Sequence, residues 1–206
     1  MELNITGNDL RKEFNRKTIF RDISFTLRTG QTLLISGRNG SGKSTLVKII
    51  AEVLTPTAGT VSLSLGSTGI APDRFLWIGF VSPYLQLYEE FSAAEMLALS
   101  LELRGLEDDP GRIQDLLTTV GLAGRERDIV RTFSSGRKPR VKYAMALLHR
   151  PPLLILDEPM ANLDADGVAL AQRIMQEHLL TGALIVATND LTDITHHDVL
   201  VDLNAA

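Results

Sequence analysis

The sequence predicts an α/β protein with a parallel-sheet core, a small antiparallel β-subdomain near the N-terminus and a helical subdomain over about residues 84–132. Three observations predict it. Fully apolar runs such as Leu33-Leu34-Ile35 and Leu153-Leu154-Ile155-Leu156 alternate with helix-period stretches, the pattern of strands buried on both faces. One run leads through Gly37-Arg38-Asn39-Gly40-Ser41-Gly42-Lys43-Ser44-Thr45 into a helix-like segment containing Leu46 and Ile50. Another ends in Asp157-Glu158-Pro159, which sets two carboxylates at the carboxyl edge of a sheet, where ligands of open α/β sheets bind.

The elements follow in order. Over residues 2–34 apolar positions mostly alternate, as in Ile23-Ser24-Phe25-Thr26-Leu27, and Arg28-Thr29-Gly30-Gln31 reads as a turn. Pro56 and Gly59 close the first helix, and alternation resumes at Thr60-Val61-Ser62-Leu63. A strand is expected over Phe75-Leu76-Trp77-Ile78-Gly79-Phe80-Val81, leading to Ser82-Pro83. Helical periodicity follows at residues 93–104 and 112–120, with Glu107-Asp108-Asp109-Pro110-Gly111 as the intervening loop. Strands return at Leu153, at residues 183–187 after a helix over 165–180, and at Val199-Leu200-Val201. No repeat or linker divides the chain, so residues 1–206 read as one domain.

Composition narrows the function. A formal charge of −4 and a pI near 5.6 offer no basic patch for bulk nucleic-acid binding. Cysteine is absent, which excludes disulfides and thiolate metal sites and is compatible with a reducing cytosol. No apolar run approaches the roughly 20 residues that span a bilayer, so any membrane role is expected to come through a partner.

The Gly-rich stretch is G-x-x-x-x-G-K-S in its strand, loop and helix context. Glycine lets successive backbone N–H groups turn inward on a polyphosphate without a Cβ in the way. The following helix adds its N-terminal partial charge, Lys43 can reach the β- and γ-phosphates, and the Ser44 hydroxyl is the expected ligand of a bridging Mg²⁺. Adjacent side chains on an extended segment diverge, which gives the two acids different jobs. Asp157 would hold Mg²⁺, directly or through its water, and Glu158 would orient and deprotonate the attacking water. A plain glycine turn and a plain acidic turn are the bland alternatives, and the presence of both motifs together weighs against them.

On these motifs the whole chain resembles the nucleotide-binding subunits of ATP-binding cassette (ABC) transporters. Phe133-Ser134-Ser135-Gly136-Arg137 stands where that family has its signature, ahead of a helix leading into the carboxylate strand. Ser134, Ser135 and Gly136 are read as sitting at that helix's N-terminus, with Pro139 tolerated in its first turn. The resemblance implies an ATP-hydrolysing subunit in which Ser134, Ser135 and Gly136 cap the γ-phosphate of ATP held by the opposite subunit. It also implies that Phe14 stacks on adenine, that residues 37–45 hold the phosphates, and that Ala161-Asn162-Leu163-Asp164 carries contact between subunits, with a core aromatic on an early strand the alternative for Phe14 and a solvated helix cap the alternative for Asp164. Two copies would close on two ATP-Mg²⁺ and drive an integral membrane permease on a separate chain, from the cytoplasmic face of the inner membrane. No nucleic-acid partner is expected. The length, the signature form and Arg21-Asp22-Ile23-Ser24-Phe25 look most like the small haem-exporter subunits of cytochrome c maturation.

Two positions depart from the family pattern. Pro83 occupies the place of a Gln that touches Mg²⁺ or the attacking water, and Gln86, three residues on, is the candidate replacement, a plain surface Gln being the alternative. In Val186-Ala187-Thr188-Asn189-Asp190 the family has Thr-His-Asp; Asn189 can donate to a γ-phosphate but cannot become cationic, which implies slow hydrolysis. Other classes stay open: a soluble ABC ATPase acting on nucleic acid or ribosomes, or an ATP-gated binding module with little turnover. His196-His197-Asp198 reads as solvated surface, as does Arg125-Glu126-Arg127-Asp128, and His149 and His178 as helix-terminal residues.

Overall fold

The computed structural model describes residues 2–66 and 74–204. Two long strands, β1 (Leu3–Phe14) and β2 (Lys17–Arg28), pair antiparallel across a turn in which Asn15 and Arg16 take φ of 50° and 64°. Positive φ at both central residues gives the turn the twist that its strands already have. After β3 (Thr32–Ser36) and α1 (Lys43–Ile50), β4 (Ala58–Leu65) pairs with the other side of β1, making the sheet order β2-β1-β4. Alternation decides the faces: Ile23, Phe25 and Leu27 are buried while Asp22, Ser24 and Thr26 are exposed.

The second half supplies β5 (Ile78–Val81), α2 (Ala93–Glu102), α3 (Pro110–Thr119), α4 (Lys138–Leu147), β6 (Leu153–Asp157), α5 (Ala165–Leu179), β7 (Ala183–Thr188) and β8 (Val199–Asp202). A parallel sheet runs β5-β6-β7-β3-β8. Every residue of β6 and β7 is buried, which is why those strands read as unbroken apolar runs. Alternate residues face opposite cores. Leu153, Ile155, Ile185 and Ala187 pack with α1 and the antiparallel sheet, whereas Leu154, Leu156, Leu184 and Val186 pack with α2, α3, α4 and α5. The protein therefore has three layers around the parallel sheet. Each buried Leu or Ile stabilises them by about 1.5–3 kcal/mol, so a one-residue slip of β6 would reverse both cores at once.

Local details correct the sequence reading. The strand expected over 75–81 forms only at Ile78–Val81; Arg74–Trp77 is a 3-10 turn. Its ladder with β6 begins at Ile78↔Leu153, and before that the backbone has no neighbour to bond, so it bonds locally. The third helix starts two residues earlier than expected, because Asp109 accepts the Arg112 N–H (2.9 Å) and Pro110 takes the first helical position. The run 125–128 is not plain surface: the carbonyls of Glu126 and Asp128 accept the Ala94 and Ala93 N–H groups (2.9 and 3.2 Å) and so hold the start of α2. Ser92 and Glu95 complete that helix start as a reciprocal capping box. His149 and His178 do lie at helix ends, at the C-terminal side of α4 and in the last turn of α5. Where α4 crosses β5, a Cβ on Gly79 would collide with the Ala146 carbonyl, so glycine is what lets that helix sit against the sheet.

Candidate active site

The loop after β3 ends at Gly42, whose φ of 105° is left-handed and whose Cβ, if present, would press on Ile19. No side chain caps α1. Its first N–H groups are thus left pointing out of the helix, toward whatever the loop encloses. Ser41 Oγ is buried with no hydrogen-bond partner in the described residues, an orphaned polar group in the centre of the loop. One orphaned hydroxyl and an uncapped helix start beside a left-handed glycine fit a bound polyphosphate.

Side chains from the start of α1 and from the ends of β5, β6 and β7 converge here. Lys43 is 6% exposed; its Nζ donates to the Gly37 carbonyl (2.9 Å) and lies 3.3 Å from Glu158 Oε1. Ser44 Oγ donates to Asp157 Oδ1 (3.0 Å), and Ser82 Oγ donates to Asp157 Oδ2 (3.3 Å). Asp157 is fully buried, and burial pushes its carboxyl above the ordinary range against the pull of those two hydroxyls and of Lys43. An acid buried at that cost, flanked by hydroxyl oxygens, is a hard-oxygen donor set of the kind Mg²⁺ takes. Glu158 turns away from Asp157 on a φ of 49°, so the two acids do diverge; its Oε2 lies 3.5 Å from Thr188 Oγ1.

The cavity around these groups measures about 770 Å³ and is lined by Phe14, Asn39, Gly40, Gly42, Lys43, Ser44, Thr45, Pro83, Tyr84, Glu158 and Asn189, among others. That volume falls in the roughly 300–1,000 Å³ range of small-molecule sites. Phe14 is 45% exposed at the end of β1, with Lys12 Nζ 4.8 Å from its ring centroid. Asn189 Nδ2 donates to Asn39 Oδ1 (3.3 Å), which ties the β7 end to the loop. Arg38 N donates to Asn204 Oδ1 (3.0 Å), holding the loop's outer side.

One expectation needs correction. Gln86 does not join Ser44 and Asp157: it lines a separate cavity with Ser135, Lys138 and Lys142, because after β5 the chain turns away over α4. Ser82 is the residue that meets Asp157 from β5 instead. Its signal was invisible in the sequence, since only the pairing Val81↔Leu156 puts the two strand ends side by side. Ser134 and Ser135 lie just ahead of α4 and do not cap it. Arg137 is the N-cap and makes no side-chain capping bond, while the Ser134 carbonyl accepts the Arg137 and Lys138 N–H groups (3.0 and 3.1 Å). Both serine side chains are exposed, and Ser134, Ser135 and Gly136 are absent from the lining of the cavity that holds Lys43. Asp164 caps α5 through the Gly167 N–H and accepts from Arg140 Nη2 (both 2.8 Å), joining α5 to α4. Among the described residues no group of three or more His, Cys, Asp or Glu stands in metal-binding array, and no helix is long and apolar enough to cross a membrane.

A parallel α/β sheet with this loop at one strand end and paired acids at another defines a P-loop nucleotide-binding domain. Residues 20–161 match the ABC transporter family, and the chain belongs to it. It is 33% identical over 186 residues to the cytochrome c biogenesis ATP-binding export protein CcmA of Xanthomonas axonopodis pv. citri (strain 306), covering 89% of this chain and 85% of that one. To the protein of the same name from Methylococcus capsulatus it is 34% identical, covering 84% of each. Among solved structures, an ATP-binding subunit of an ABC transporter superposes with a TM-score of 0.83 at 28% identity, over 96% of this chain and 85% of that one. An ATP-binding cassette dimer in a post-hydrolysis state with ADP and Pi shares the fold, with a TM-score of 0.82 at 21% identity, over 96% and 93% of the two chains. The chain is accordingly an ATP-binding, ATP-hydrolysing subunit of the ABC transporter class.

Proposed function

We propose that ATP binds in the cavity between Phe14 and the loop at residues 37–45, and that the chain works as a head-to-tail dimer on a separate membrane permease. Phe14 offers an exposed π-face for the base, and the loop N–H groups, Ser41 Oγ and Lys43 take the phosphates. Ser44 and Asp157 would hold a Mg²⁺ ion, which would neutralise phosphate charge. Lys43 moves from the Gly37 carbonyl to the phosphates and frees Glu158, whose carboxylate takes a proton from water. Asn189 donates to the γ-phosphate. The carrying observation is the convergence of Lys43, Ser44, Asp157 and Glu158 within bonding distance at one sheet edge.

Ser134 and Ser135, exposed, and the half-buried Gly136, all apart from their own chain's cavity, complete the site of the opposite subunit. The residues around Leu85, Leu87 and Tyr88 meet the permease, which holds the chain at the cytoplasmic face of the inner membrane. The shared name of these relatives, cytochrome c biogenesis ATP-binding export protein, supports export in cytochrome c biogenesis as the role of this chain. Affinity purification from detergent-solubilised membranes tests the assignment. The expected result is a stoichiometric integral membrane protein in the eluate, and loss of haem-stained c-type cytochromes when the chain is removed. Recovery of the chain free of membrane protein overturns it.

A further inference from the structure

Thr188 is fully buried at the end of β7, and its single hydroxyl hydrogen has competing acceptors. Asp193 Oδ2 is 2.6 Å from Thr188 Oγ1, Asp190 O is 3.4 Å away and Glu158 Oε2 is 3.5 Å away. One of the oxygen's two lone pairs is engaged, since it accepts the Asp190 N–H at 3.0 Å. One hydrogen cannot serve two carboxylates, and the shorter contact takes it. Asp193 therefore removes from Glu158 a buried donor that would otherwise lie against it.

From this geometry we propose that Asp193 is a positioning residue for ATP hydrolysis: it captures the Thr188 hydroxyl hydrogen and so leaves Glu158 Oε2 free to face water. The inference rests on the assignment of Glu158 as the base. A carboxylate that accepts a buried hydroxyl is held in one rotamer and is a weaker acceptor for water. With Asp193 in place, Glu158 is tied on one side only, through Lys43 at Oε1 (3.3 Å), a tie that the phosphates release. The turn Leu191–Asp193 that carries the captor is itself fixed, with Asp193 N donating to the Asp190 carbonyl (3.2 Å) and Asp190 Oδ1 accepting the Thr192 N–H (2.9 Å). Burial and the neighbouring charges of Asp190 and Glu158 raise the Asp193 carboxyl, while the Thr188 bond opposes them, which is the balance expected of an acid kept at that place by its hydrogen bond.

The test is steady-state and single-turnover hydrolysis on the full chain. Asp193→Ala hands the Thr188 hydrogen to Glu158 and is expected to lower kcat about tenfold, a fraction of the 10²–10⁴ that a general base contributes, with ATP affinity and thermal midpoint within error. Asp193→Asn keeps an acceptor oxygen and recovers most of the loss. Decisively, Thr188→Val added to Asp193→Ala removes the hydroxyl that captures Glu158, so the double variant is faster than Asp193→Ala alone. A double variant as slow as, or slower than, Asp193→Ala overturns the inference in favour of simple turn damage, as does an Asp193→Ala rate equal to that of the unaltered protein. Glu158→Gln run alongside separates the two readings: if it still hydrolyses ATP, the base assignment fails; if it is inactive and Asp193→Ala is not impaired, only the positioning role fails.

Discussion

The loop at residues 37–45 and the start of α4 are both expected phosphate-binding elements, yet one is filled by its own chain and the other is open. Lys43 and Asp157 are buried, each with partners contributed by other strand ends. Ser134 and Ser135 are exposed, and α4 begins without a side-chain cap. The first arrangement is preorganised: its charges are held by carbonyls and hydroxyls that phosphates and a cation can replace without reordering the backbone. The second leaves its donors to solvent, the state expected of a surface that a second subunit covers. The two expected phosphate elements thus differ in burial as well as in residue type.

The comparison breaks first at Glu158. Glu158→Gln keeps size and Mg-ATP binding but removes the proton acceptor, and turnover is expected to fall about 10³-fold, within the range of a lost general base. If the open half pairs with a partner, this variant accumulates an ATP-dependent dimer by light scattering; a monomer at saturating ATP speaks against the pairing. Next, Lys43→Ala should weaken ATP about 100-fold by calorimetry, the loss of two or so charge-assisted bonds at 1.5 kcal/mol or more each, while the fold persists by circular dichroism. Wild-type affinity would remove Lys43 from the phosphate site.

Ser135→Glu probes the open half. It should leave ATP affinity of the isolated subunit within about twofold yet slow turnover by about tenfold, through like-charge repulsion at the partner's nucleotide. Weakened binding in the monomer would show that the serine acts in its own chain. Asn189→Ala is milder. An oxyanion donor is worth about 10²–10³ in rate, and an amide retains only part of it, so a loss of about threefold is expected, flat between pH 6 and 8. An unchanged rate would remove Asn189 from the γ-phosphate.

The smallest effect lies away from both halves. Burial, with Arg104 nearby, pulls the His149 pKa down to about 4, while its Nε2 pairs with the Ile78 carbonyl (3.1 Å). An unfolded His binds its proton near pH 6.5, so the folded state loses stability as pH falls from there toward 4. The thermal midpoint of the unaltered protein should drop more steeply over that window than that of His149→Gln. Parallel curves would mean that His149 does not report the acid sensitivity of the fold.

The sequence by itself determined the parallel core and the filled half of the site. Residues 37–45 and Leu153 to Glu158 are contiguous stretches whose local backbone does the chemistry, so their spacing is enough to read them. Period-2 alternation likewise set which residues of the antiparallel strands face inward, as at Ile23, Phe25 and Leu27. Tertiary structure decided the rest, because it depends on which strand ends become neighbours. Ser82 reaches Asp157 only through the β5-β6 register, and Thr188 meets Glu158 only where β7 ends beside β6. Gln86 was placed by counting along the chain, and the chain turned; a hydrogen bond between residues 75 apart, such as Ser82 to Asp157, is fixed by packing of the sheet and leaves no local mark in either segment.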